Sequence, residues 1–159
     1  MRCAELAAAA IDELARRYRL ISVPVDTGQP IPGSYWGPPE AGLSGGQIFW
    51  RPDTPAHSVL HELAHFVCMD GERRARVDTD AGGDDEEECA VCYLEILLAA
   101  QLRGFGSDRC IADMDAWGYS FREGSARRWF VGDGSEARAW LLHEQLITGD
   151  AKPTWRLRT

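Results

Sequence analysis

No long apolar run exists in this chain. The longest, Ala7 to Ile11 with its neighbours, falls far short of the roughly 20 residues that span a bilayer, so no membrane helix and no membrane partner are expected. The N-terminal stretch also lacks the form of a secretory signal. Arg2 is followed by Cys3, Glu5, Asp12 and Glu13, which interrupt what would have to be an apolar middle, and no small-residue cleavage site follows. A cytoplasmic location is the expectation. Positive charge is scarce: 17 Lys and Arg stand against 25 Asp and Glu, a net of -8, the wrong sign for a surface that grips phosphate backbones. No direct nucleic-acid binding is expected. Five cysteines (Cys3, Cys68, Cys89, Cys92, Cys110) are an odd number with no secretory signal, which favours free thiols over a disulfide framework. Repeats and low-complexity tracts are absent as well. The 159 residues leave no room for a second full domain, so residues 1–159 are expected to form one. Nothing in the pattern fixes an oligomeric state.

The acidic excess is uneven. Residues 1–100 carry 8 basic and 17 acidic groups, residues 101–159 carry 9 and 8, and most of the surplus lies between Asp78 and Glu88. Helical spacing of Leu6, Ala10, Ile11, Leu14 and Tyr18 predicts a first helix over Ala4 to Tyr18, with arginines near its C-terminal end. Leu20 to Val25 predicts a strand. The Gly and Pro residues from Gly28 to Gly46 predict a long loop without regular structure. Gln47 to Arg51 reads as a second strand, and the stretch Ile48 to Trp50 as an edge on which an extended peptide could add. Thr54 as cap and Pro55 in the first turn predict a helix over Pro55 to Cys68. Another helix is expected from Asp84 or Asp85 to Gln101, ended by Gly104 and Gly106. Ser107, Ser125 and Ser135 are candidate caps for helices over Asp108 to Trp117, Ala126 to Phe130 and Glu136 to Ile147. The six tryptophans are expected in the core. The fold class is therefore α+β, mostly helical with a small sheet.

Chemistry concentrates in His61-Glu62-Leu63-Ala64-His65, an H-E-x-x-H sequence within the Pro55 to Cys68 helix. Four residues at 1.5 Å rise put the two imidazoles on one face about 6 Å apart along the axis, within reach of one zinc ion. Glu62, one residue on, can take a proton from water. With 4 His and 12 Glu in 159 residues, one such match by chance has odds on the order of one in a hundred. His57 extends the series to three on one face. Three histidines over two turns span about 12 Å, too far to wrap one tetrahedral ion, so His57 is read as a group beside the site.

A catalytic zinc wants a third protein ligand and an open position. The helix opening with Asp84 to Glu88 offers it. Glu87 shares its face with Ala90, Val91, Leu94 and Leu98 and is the better inward-facing candidate, with Glu88 as runner-up beside Cys92 and Glu95. Cys89 is the candidate should a thiolate complete the set. The carboxylates of Asp113 and Asp115, close to Trp117 and Tyr119, read as a helix end with Gly118 as its terminating glycine.

The motif, followed by Glu87, Ala90, Tyr93, Leu97 and Leu98, resembles the small gluzincin peptidases of the ImmA/IrrE type, over about Gln47 to Gln101. That resemblance implies a minimal zincin-like fold: a short sheet, an active-site helix, and a following helix whose Glu completes the zinc site. It puts that Glu at position 87. Val91 and Glu95 depart from the family pattern, and the segment from Met69 to Glu86 has no counterpart in it. The combined expectation is one zinc per chain on His61, His65 and Glu87, with Glu62 as general base of a peptidase acting on a specific intracellular protein or peptide. Tyr119, His57 and Tyr93 are candidate transition-state donors. The alternative is a non-catalytic, zinc-stabilised regulatory or protein-binding module.

Overall fold

The computed structural model describes residues 1–7 and 9–159. It is a mixed α/β structure of seven α-helices and a three-stranded sheet among the described residues. A short 3-10 turn, Cys3–Glu5, precedes α1 (Ala10–Arg17), so the helix expected from Ala4 begins six residues later; Ala8 lies outside the described residues. The reason is a competing partner: Cys3 N donates to Thr54 O and Ala4 N to Pro52 O, tying the first residues to the turn before the motif helix. Within α1, Asp12 and Glu13 occupy the first turn and Arg16 and Arg17 the last, the order the helix dipole favours.

Strand β1 (Ile21–Pro24) falls where expected. It pairs in parallel with β3 (Gln47–Trp50), Ile21 opposite Gln47, and β2 (Gly42–Ser44) pairs antiparallel on the other side, Gly42 opposite Phe49. Two expectations are corrected here. The glycine-rich stretch to Gly46 is not wholly irregular, because its end forms β2. And β3 is the central strand, order β1-β3-β2, so Ile48 to Trp50 is no edge. Even the outer side of β2 is taken: Gly45 N donates to Val77 O and Thr79 N to Leu43 O.

The motif helix is α2 (Ala56–Cys68), close to its expected span. Pro55 stands extended at the cap position, and Thr54 does not cap; its Oγ1 accepts from Arg51 N and closes the preceding turn. A short α3 (Gly71–Arg76), unforeseen, is capped by Asp70, whose carboxylate accepts from Arg73 N. Then α4 (Asp85–Ala99) is capped by Asp84 accepting from Glu87 N. It packs against α2, α5 (Ser107–Trp117) and α7 (Ser135–His143), so its apolar residues are buried on several sides at once. Gly106 and Gly134 take the cap positions of α5 and α7, with Ser107 and Ser135 inside the helices, whereas Ser125 does cap α6 (Ala126–Val131). Gly118 ends α5 with φ 99°, the left-handed conformation expected of it. Helix α7 stops at His143, short of Ile147, and Gln145 takes φ 58° just beyond. Trp129 is core, but Trp117 is 40% exposed and Trp36 79%, against the expectation for all six. All five cysteines are free. Among the described residues, no helix is long and apolar enough to cross a membrane.

Candidate metal centre

One face of α2 carries His57, His61 and His65, and α4 packs across it. The ring nitrogens His61 Nε2 and His65 Nε2 stand 3.1 Å apart, and Glu88 Oε1 lies 3.7 Å from His65 Nε2. The three ligand atoms fall within 4.8 Å of one another. Two nitrogens each ~2.05 Å from a tetrahedral zinc would sit about 3.3 Å apart, so this spacing suits a single ion. The donor set of two imidazoles and one carboxylate suits zinc chemically.

Glu95 explains the orientation of His61. It is 0% exposed, on the same face of α4 as Glu88 and Cys92, and its Oε2 accepts from His61 Nδ1 at 3.1 Å. A carboxylate on Nδ1 leaves Nε2 as the nitrogen free for a metal. Burial acts to lower the His61 pKa, but the Glu95 hydrogen bond and the carboxylates of Glu95, Glu62 and Glu88 outweigh it and raise it to about 9. Burial raises the pKa of Glu95 itself, while the hydrogen bond to His61 and the charge of His61 act to lower it. Cys92 joins His61 and Glu95 in a second grouping of ligand atoms. Glu62 faces the same hollow; burial, with Glu40, Glu88 and Glu95 adding to it against His61, raises its pKa to about 7. A carboxyl poised there exchanges a proton readily near neutral pH.

The expected third ligand, Glu87, is not brought to the histidines. Its carboxylate is 4% exposed and is held by Arg73 at 2.8 Å and by Arg158 Nη1 at 3.0 Å. Glu87 is indeed inward-facing. The periodicity that made it so could not tell which neighbour lay inward, because α4 is buried on more than one side. Glu88, the runner-up, is the carboxylate that meets the pair. Cys89 is exposed and belongs to neither grouping. Among the candidate donors, Tyr119 and His57 line the hollow, their rings edge-on at 5.7 Å, while Tyr93 packs instead against Phe130 and Trp129. Asp113 is held by Arg109 and the N-terminal amine, and Asp115 accepts from Ala126 N, so neither forms a second centre.

The hollow has a volume of about 480 Å³ and lies between α2, α4, the loop from Tyr35 to Glu40, the segment from Thr79 to Gly82, and the end of α5. Tyr119, just beyond the end of α5, is one of the donors expected from sequence. Glu95 carried a signal, since an acid seven residues after Glu88 in an otherwise apolar helix marks the same face. Tyr35, Trp36 and Glu40 sit in a loop whose path no periodicity describes. Compared with family models, curated proteins and solved structures, the chain matches none.

Proposed function

We propose that this chain is a single-zinc metallohydrolase of the peptidase class, with His61, His65 and Glu88 as metal ligands and Glu62 as general base. One observation carries the reading: two imidazole nitrogens and a carboxylate converge in an open hollow, with Glu62 beside them. A zinc ion held there supplies Lewis acidity to a substrate carbonyl and to a water molecule. Glu62 takes the water's proton as it attacks the carbonyl carbon and passes it to the leaving amine nitrogen. Glu95 holds His61 in the tautomer that presents Nε2. Tyr119, at the wall of the hollow with its hydroxyl protonated well above neutral pH by burial, donates to the developing oxyanion. The site is the same kind as in the gluzincin resemblance, with the third ligand moved by one residue. The natural substrate is a cytoplasmic protein or peptide.

A second reading has its own observation. Cys92 stands in a ligand grouping with His61 and Glu95, and a fourth protein ligand would close the site into a structural one, leaving a regulatory or docking module. The Glu62→Gln chain separates the two. The enzyme reading expects stoichiometric zinc with peptide hydrolysis reduced by about 10²-fold or more. Hydrolysis unchanged in Glu62→Gln, or absent from the zinc-loaded wild type on every peptide offered, would sink it.

A further inference from the structure

The hollow at the histidines continues past its ligands. A second one, of about 630 Å³, is walled by the start of α4, residues 120–123, α6 and the start of α7, and both are lined by Glu88 and Cys92. The shared lining sets the two hollows next to each other, as a track beside the metal centre. Its formal side-chain charge is mostly acidic. The first hollow is lined by Glu40, Glu62, Asp80 and Glu88 and by no Lys or Arg. The second has Asp85, Glu86, Glu123, Asp133 and Glu136 against one base, Arg122, which is already paired with Glu123 and Asp133.

Its walls are aromatic. Tyr35 (59% exposed), Trp36 (79%) and Trp117 (40%) stand at the first hollow, and they account for three of the five large apolar side chains that the described residues expose. In the second, Phe121 stacks on Trp129 with ring centroids 4.9 Å apart. Exposed aromatic surface gathered at one cleft marks a binding surface rather than chance. An independent sign lies deeper. His57 lines the first hollow, is 2% exposed, and makes no hydrogen bond at Nδ1, with Glu95 Oε1 3.8 Å away from it.

Resting on the peptidase reading above, we propose that the track binds its substrate as an extended peptide segment rich in Lys and Arg. Basic side chains are amphipathic: their alkyl stems lie on aromatic faces, and their cationic heads reach both ring faces and carboxylates. Acidic segments meet like charge along most of the track and bind less well.

The test is fluorescence anisotropy with labelled peptides of about ten residues, a length that spans ~33 Å extended. A Lys/Arg-rich peptide, its Glu-substituted counterpart and a neutral Ser/Gln version are titrated against the full chain carrying Glu62→Gln, so that no cleavage intervenes. The basic peptide binds more tightly than the acidic one, and its affinity falls as salt rises from about 20 to 300 mM. Trp36→Ala weakens binding about ten-fold. Glu86→Gln with Glu136→Gln weakens it about five-fold. The control, Asp12→Asn with Glu13→Gln on α1, which lines neither hollow, leaves it unchanged. No preference for the basic peptide, no binding by any of the three, or an equal loss in the α1 control overturns the proposal. Anisotropy does not depend on hydrolysis. A zinc-bearing enzyme that cleaves neutral peptides equally well would therefore remove this inference and leave the peptidase reading, whereas basic-peptide binding without zinc would do the reverse.

Discussion

Glu87 and Glu88 are neighbours in the chain with opposite surroundings: one is clasped by two guanidinium groups, the other faces two imidazoles. Single residues around the histidines carry separable consequences. Glu95→Gln keeps the size of a fully buried side chain but removes the negative charge on His61 Nδ1; zinc affinity, read by competition with a chelator, is expected to drop between about 10- and 100-fold. His57 acts through pH. Burial, together with the nearby His61, lowers its pKa to about 4, so in the folded chain it stays neutral where the unfolded chain has taken up a proton. Its contribution to stability is complete above pH ~6.5 and disappears as the pH falls towards 4, a difference of about 3 kcal/mol for a side chain this buried. His65, also lowered by burial, adds a contribution of the same sign. Urea unfolding of metal-free protein at pH 7.5 and 4.5 should therefore show a smaller loss for His57→Phe than for wild type. An equal loss would mean that His57 is not held neutral by the fold.

At the level of elements, glycines and buried charges decide what the hydrophobic pattern leaves open. Strand β2 exists because Gly42 has no Cβ: one built there would lie 2.0 Å from Pro32 O and 2.4 Å from Ser34 N, both backbone atoms that cannot swing away. Gly42→Ala is expected to cost more than about 2 kcal/mol and to show as a lowered denaturation midpoint. Glu87→Gln strips a buried carboxylate from Arg73 of α3 and Arg158 of the C-terminal segment, and about 2 kcal/mol of stability should go with it, discounted because both arginines are partly exposed. The elements themselves were largely legible: strand-forming runs found β1 and β3, and the start signals at Pro55 and at Asp84 found α2 and α4 and placed H-E-x-x-H on the right helix. What these signals missed has physical causes. The N-terminal residues abandon helix for hydrogen bonds to Pro52 and Thr54, partners 48 and more residues away. α3 has no buried residue and hence no periodic apolar signal. Buried on several sides, α4 gave no single inward direction, so an inward Glu87 was assigned to the metal when its true partners were arginines distant in sequence.

Over the whole molecule, the small sheet and α4 both pack on α2, and the motif face meets α4 at a hollow whose remaining walls are largely loops. The acidic surplus read from the sequence concentrates where it matters, since the stretch from Asp78 to Glu88 supplies carboxylates to both hollows. The central claim is that this frame holds one zinc on His61, His65 and Glu88. Elemental analysis of purified wild type, His65→Ala, Glu88→Gln and Glu87→Gln tests it most directly. About one zinc per chain in wild type and in Glu87→Gln, with sharp loss in His65→Ala and Glu88→Gln, is the expected result. Zinc retained by Glu88→Gln and lost from a folded Glu87→Gln would contradict the ligand set, and no zinc in the wild type after reconstitution would contradict the metal centre itself.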